Sequence, residues 1–207
     1  GNNVAIGSGS LKNLNAGTHA YNVGVGVDTG VNLTTGVQNT FIGALAGDAL
    51  TDADFNVAVG TSALSADTLG SNSVGLGRNA LASQNFTSAT NTYNVAVGTS
   101  AGLSVSTGVN NTLIGGLAGD ALTDADQNVA VGAGALTNDT LGSKSTALGR
   151  STLANQNFTS ATDSNNTAVG YFAGFNVTTG RFNSIFGANA GDAITTGFYN
   201  TALGYEA

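Results

Sequence analysis

The chain has 207 residues, enough for one or two compact domains, yet only 8% of them are charged, 31 are glycine, and Trp, Met, Cys and Pro are absent. Twelve acidic residues against five basic ones give a net charge of -7, which repels phosphate backbones and anionic lipid and argues against nucleic acid as a partner. Without cysteine there is neither a disulfide nor a thiolate metal site, and no apolar run approaches the ~20 residues that insert across a bilayer.

From the first residues onward one short pattern returns. A tile of Asn, Val or Thr, a small residue, an aliphatic residue and Gly opens at Asn3 and places its glycine at Gly7, Gly26, Gly43, Gly60, Gly77, Gly98, Gly115, Gly132, Gly149, Gly170, Gly187 and Gly204. The spacings are 19, 17, 17, 17, 21, 17, 17, 17, 21, 17 and 17, so from Gly26 a four-coil super-repeat of 72 residues is visible. QNFTSAT accordingly stands at 84–90 and again at 156–162, in the 21-residue coil each time. The tile begins with Asn in ten coils: Asn3, Asn22, Asn39, Asn56, Asn94, Asn111, Asn128, Asn166, Asn183 and Asn200; Ser73 and Ser145 are the exceptions. Period-2 sidedness and β-branched residues ahead of a glycine predict a short strand in every tile.

Beyond the strand the same order persists. Three residues after the core glycine stands a small side chain, eight after it Thr or Ser in every complete 17-residue coil, and ten after it a glycine, replaced only by Ala53 and Ala125. That later glycine predicts a corner with positive φ. Where the fourth residue after the core glycine is Gly, as at Gly47 or Gly119, the residue three further on is aliphatic (Leu50, Leu122); where it is Leu64 or Leu136, that position is Asp67 or Asp139. One large side chain per coil from either of two places is the mark of a close-packed interior.

These regularities predict an all-β chain, a single parallel β-solenoid domain over 1–207 with ~17-residue coils, rising about 55 Å at the strand spacing of ~4.8 Å. Asn over Asn would form an amide ladder and Thr over Thr a hydroxyl ladder. Helices are not expected, since glycine recurs every few residues with no 3.6-residue period. So thin a coil buries little apolar surface alone, and lateral association over a second face is expected. The chain opens and stops inside a repeat, and we expect it to be a piece of a longer fibre.

The tiles NTAVG (166–170), NTALG (200–204) and NVAVG (94–98), with the Thr-Thr-Gly corners at 34–36, 178–180 and 195–197, resemble the head repeats of YadA-type trimeric autotransporter adhesins and the longer-period β-roll repeats of bacteriophage tail fibres. The resemblance covers essentially the whole chain. It implies a left-handed β-roll, a homotrimer around a common axis, and an extracellular place on a virion tail fibre or a bacterial cell surface. The YadA-type repeat is shorter, so each coil here carries a longer outer loop.

Candidate sites are few. LAGDALTDAD at 45–54 and again at 117–126 groups Asp48, Asp52 and Asp54, and Asp120, Asp124 and Asp126; clustered carboxylates suit calcium, which takes several oxygens. Neither an EF-hand spacing nor a calcium-binding nonapeptide is present, and the third copy keeps only Asp192. The plainer expectation is an Asx-type hydrogen bond from Asp52 and Asp124 at a corner without glycine. Glycosidase chemistry needs two facing carboxylates; the chain has one glutamate, Glu206, and one histidine, His19. Eight of fourteen aromatics lie in the last 37 residues, either as a sugar- or receptor-binding strip or as rings such as Phe182 and Tyr199 stacked between coils. Thr columns invite an ice-binding reading, but the neighbouring position varies. The expected function is therefore a structural and adhesive segment of an extracellular trimeric fibre, with no enzyme activity and no cofactor, and with a host-surface glycan or protein receptor as partner. A glycan-binding or glycan-depolymerising module is the alternative, and a calcium-stabilised β-roll the third reading.

Overall fold

The computed structural model describes residues 1–17 and 19–207. Its strands, in chain order, are β1 (Val4–Ile6), β2 (Val23–Val25), β3 (Thr40–Ile42), β4 (Val57–Val59), β5 (Gly70–Ser71), β6 (Val74–Leu76), β7 (Thr90–Asn91), β8 (Val95–Val97), β9 (Thr112–Ile114), β10 (Val129–Val131), β11 (Gly142–Ser143), β12 (Thr146–Leu148), β13 (Thr162–Asp163), β14 (Thr167–Val169), β15 (Ser184–Phe186) and β16 (Thr201–Leu203). The described residues contain no helix. One strand per tile enters a single 12-stranded parallel sheet in chain order, while β5 with β7 and β11 with β13 add two small sheets beside the 21-residue coils. Each strand residue faces its counterpart one coil on, as Val57 faces Val74 and Val59 faces Leu76. The chain is thus a parallel β-solenoid of about twelve turns, as the spacing predicts.

Four backbone positions per coil have positive φ, and they let 17 residues close a turn around strands of only three residues. One is the core glycine, whose φ lies between 122° and 142° in all twelve coils. A Cβ there would lie 2.1–2.8 Å from the next coil's glycine in every coil but the last, so this column admits no side chain. The other three are the second and fourth residues after that glycine and the residue before the ladder Asn, held near +50° to +70° by Leu, Ser, Asn, Tyr, Phe and others as well as by Gly.

The corner glycines Gly36, Gly70, Gly108, Gly142, Gly180 and Gly197 are not among the positive-φ residues, which corrects the expectation drawn from their position. Glycine stands there for room. A Cβ on Gly36 or Gly108 would lie 2.3 Å from the carbonyl oxygen of Ala53 or Ala125 in the next coil, and one on Gly70 or Gly142 would lie 2.1 Å from Asp67 or Asp139 Oδ2.

From β2 to β16 the middle residue of each three-residue strand points inward and is buried, joined by the column of small residues three after the core glycine. Volume is shared between coils as well as within them. Where the strand centre is large, as at Phe41, Leu113 and Ile185, the fourth position is glycine both in that coil and in the one before it; Gly30 and Gly47 flank Phe41, and Gly102 and Gly119 flank Leu113. Where the centre is Ala58, Gly75, Ala130 or Ala147, the space is taken by the buried Leu64, Leu81, Leu136 or Leu153.

Candidate functional site

The two acidic corners hold their carboxylates in inter-coil hydrogen bonds. Asp52 Oδ1 accepts from the Thr35 hydroxyl and Asp124 Oδ1 from that of Thr107, one coil earlier. Asp54 Oδ1 accepts the Val37 N–H and Asp126 Oδ1 the Val109 N–H, both at 2.7 Å. The partner of Asp52 and Asp124 is the preceding coil rather than a local Asx turn, so the acids join coils instead of shaping their own corner. Asp120 accepts from Thr137 at 2.6 Å. At the equivalent place Asp48 has Ser65 below it, whose hydroxyl donates to the Ala82 carbonyl instead, and Asp48 Oδ1 is left without a partner. Desolvation, with Asp28 as a nearby like charge, raises the Asp48 carboxyl above the ordinary value. Among the described residues no three metal-ligating side chains converge, so the triads Asp48, Asp52, Asp54 and Asp120, Asp124, Asp126 do not surround a common point. No pocket opens among the described residues either.

The asparagine column is a ladder of a particular kind. Each Oδ1 accepts the backbone N–H of the next ladder residue, from Asn22 to Asn39 (2.8 Å), Asn39 to Asn56 (2.9 Å), Asn94 to Asn111 (2.9 Å), Asn111 to Asn128 (3.0 Å), Asn166 to Asn183 and Asn183 to Asn200 (2.9 Å each). From Asn22 to Asn183 each Nδ2 crosses its own coil to the corner carbonyl, as Asn56 does to Gly70 and Asn128 to Gly142. One buried side chain therefore closes a coil and ties it to its neighbour, leaving no orphan group. The threonine column works differently from the expected hydroxyl ladder: Thr34 donates to the Thr51 carbonyl, Thr51 to that of Thr68, and Thr123 to that of Thr140.

Sequence reasoning had no account of Ser73 and Ser145; the structure supplies one. The seventh residue after each core glycine forms a core column, and at two places that column changes from aliphatic to polar. Asp67 and Gln84 interrupt it in the first super-repeat, Asp139 and Gln156 in the second, all fully buried. Gln84 Nε2 donates to Asp67 Oδ2 and to Ser73 Oγ (2.8 Å), and Gln84 Oε1 accepts from Asn94 Nδ2 (2.9 Å). Asp67 Oδ1 accepts the Gly70 and Phe86 N–H groups, both at 3.0 Å. Gln156 reproduces these contacts with Asp139, Ser145 and Asn166. Desolvation by burial pushes the Asp139 carboxyl above its ordinary value, against the lowering effect of the Gln156, Phe158 and Gly142 hydrogen bonds. The glutamine bonds the serine hydroxyl and the next asparagine's Nδ2, while the Asn94 N–H turns to the Thr92 hydroxyl (3.4 Å), so a short hydroxyl side chain completes the belt at Ser73 and Ser145. The signal in the sequence is that Ser73 and Ser145 share the two 21-residue coils with Gln84 and Gln156.

The outer face of the sheet carries two columns, the first and third residues of each strand. None of the chain's twelve acidic or five basic residues stands in either one. Ile42, Ile114 and Phe186 in the third-residue column are 40%, 37% and 38% exposed, each in a coil with a neighbour on either side. Beside this strip runs the column of residues before the ladder Asn, with Tyr21, Phe55, Tyr93 and Tyr199 exposed. Phe182 and Tyr199 stack one coil apart, centroids 4.9 Å and planes 7° from parallel, and the Arg181 guanidinium lies 5.0 Å from the Phe182 centroid. A second cluster joins Tyr171, Phe172 and Phe175, with Arg150 5.5 Å from the Phe172 ring. No family model, curated protein or solved structure matches the chain.

Proposed function

We propose that this chain is a structural and adhesive segment of an extracellular fibre, on a virion tail or a bacterial surface, in which three copies associate as left-handed β-rolls through the outer face of the sheet. The observation that carries the reading is the uncharged strip on that face, about 55 Å long at the strand spacing and rich in half-exposed Val, Ile and Leu. Contiguous apolar surface of that length is uncommon on a monomer and marks an association site. A thin coil gains from burying a second face, and three copies multiply weak surface contacts through avidity. The work of such a segment is mechanical presentation, without catalysis. Light scattering on the purified chain is expected to give the mass of three copies; a stable monomer at micromolar concentration overturns the reading. Ile42→Lys with Ile114→Lys, which places charge on the strip, is expected to release folded or partly folded single chains.

A glycan-binding reading is favoured by one separate observation, the exposed aromatics Tyr21, Phe55 and Tyr93 in alternate coils of one column. Binding to a host-surface polysaccharide that survives in wild type and falls at least about tenfold in Tyr93→Ala would support it, as expected for a ring that carries a stacking contact.

A further inference from the structure

The coils of this solenoid are so alike that the fold needs something to say which coil sits on which. Most inter-coil contacts (Asn to Asn, Thr to carbonyl, glycine on glycine) would form equally well if one coil were looped out and its neighbours stacked directly. Loop closure adds little resistance, because its entropic cost grows slowly with length. In a linear array of near-equivalent interfaces, each misregistered stack differs from the native one only by the coil it omits.

We propose that the two buried Asp–Gln belts are register pins that fix the order of coils. Asp67 presents a fully buried carboxylate downward, and the only coil that answers it with an amide donor on the next level is the one carrying Gln84. If that coil were skipped, Asp67 Oδ2 would face Val105 with no donor, and a buried carboxylate oxygen left without a partner is a costly defect in a core. The belt reads in one direction only: Asn94 Nδ2 donates to Gln84 Oε1, and Gln84 Nε2 donates to Ser73 Oγ. The Ser73 hydroxyl is bonded to that of Thr92, which donates to the Ser71 carbonyl. Every polar side-chain atom of the belt is engaged, and neither of the chain's two orphaned buried atoms among the described residues, Asp48 Oδ1 and Arg181 Nε, belongs to it. Because the second belt repeats the first 72 residues later, the slip of Asp67 onto Gln156 alone satisfies this chemistry, and it forfeits four coils. Polar groups that specify arrangement at a cost in stability are known from coiled coils, where one buried amide sets register.

The test uses the whole chain, which has no cysteine among its 207 residues to confuse it. Thr61, Arg78 and Thr99 occupy one exposed column in three successive coils. Thr61→Cys/Arg78→Cys reports native stacking, since neighbouring coils bring the pair within disulfide reach. Thr61→Cys/Thr99→Cys reports a skipped coil or an exchange with another copy, being otherwise about two strand spacings apart. In the native background only the first pair is expected to oxidise. With Gln84→Met, which keeps length and removes the donor, Asp67 Oδ2 has no partner in either register, and the Thr61/Thr99 cross-link is expected to rise about tenfold or more. Leu122→Ala, a core truncation away from both belts, serves as the stability-matched control and should leave it at the native level. The same result in Gln84→Met and Leu122→Ala, whether a rise in both or in neither, overturns the proposal. Should Gln84→Met fail to fold, Ser73→Ala weakens the belt more gently and must show the same rise; native cross-linking alone in that variant overturns the proposal equally.

Discussion

At the residue scale the fold rests on glycines that do two different jobs. The core glycines combine a left-handed φ with backbone of the next coil at van der Waals limits, whereas the corner glycines need only the room. Gly115 and Gly116 are adjacent in sequence and offer a direct comparison. A Cβ on Gly115 (φ 131°) would lie 2.6 Å from the Gly132 backbone, while one on Gly116 meets nothing closer than 3.9 Å. Gly115→Ala is therefore expected to lose ~1–3 kcal/mol from strain alone, lowering the thermal midpoint by at least ~2–4 °C for each kcal/mol in a chain of this size. Gly116→Ala should be neutral within error in the same melting experiment. A second residue-scale expectation concerns Asp139. Its folded-state carboxyl is raised above the ordinary 3.8, so its contribution to stability is fully present below that value and is lost as pH rises through the raised one. Asp139→Asn cannot ionise. The stability difference, variant minus wild type, is expected to become more favourable to the variant from pH 3 toward pH 7 in parallel denaturation series; a flat difference would contradict the linkage.

At the scale of one coil, the sequence periodicity is enough to place every tile strand, the asparagine column and the within-coil exchange of Leu64 against Leu50, though not the burial of the asparagines. What it could not reveal was interaction between coils that are far apart in the chain. Leu113 fills space left by Gly102 in the coil before it, and no local pattern links the two. The three left-handed positions other than the core glycine were equally hidden, because Leu64, Phe55 and Ser62 carry no propensity that announces φ above zero. The acidic corners follow the coil pattern, but the partners of Asp52 and Asp124, Thr35 and Thr107, lie in the preceding coil, beyond any local pattern. Cross-coil packing makes its own prediction. A Cβ on Gly102 would lie 2.8 Å from Leu113 Cδ1. Leu113→Ala should cost ~2–5 kcal/mol as a cavity and Gly102→Ala ~1–3 kcal/mol as overpacking. Combined, they should cost less than their sum, because the cavity accepts the new methyl; a double-mutant cycle in denaturant measures that coupling.

For the molecule as a whole, the arrangement of backbone hydrogen bonds matters more than any one contact. The sheet pairs and the turn bonds, such as Gly30 to Ala46 and Thr51 to Thr68, join each coil to the next along the solenoid axis. Tension along that axis consequently loads the coils in series, and the weakest interface opens first while the rest stay shut. A released 17-residue coil extends to about 60 Å and gives up one strand spacing, a gain of ~55 Å, while a 21-residue coil yields ~69 Å. Stretching a single chain should thus produce a sawtooth of mostly ~55 Å steps, with the two longer coils marking every fourth event, if opening runs sequentially from one end. A filament built this way would lengthen many-fold before it parts, and the uneven 17 and 21 spacing that organises the sequence would be legible as the rhythm of its step lengths.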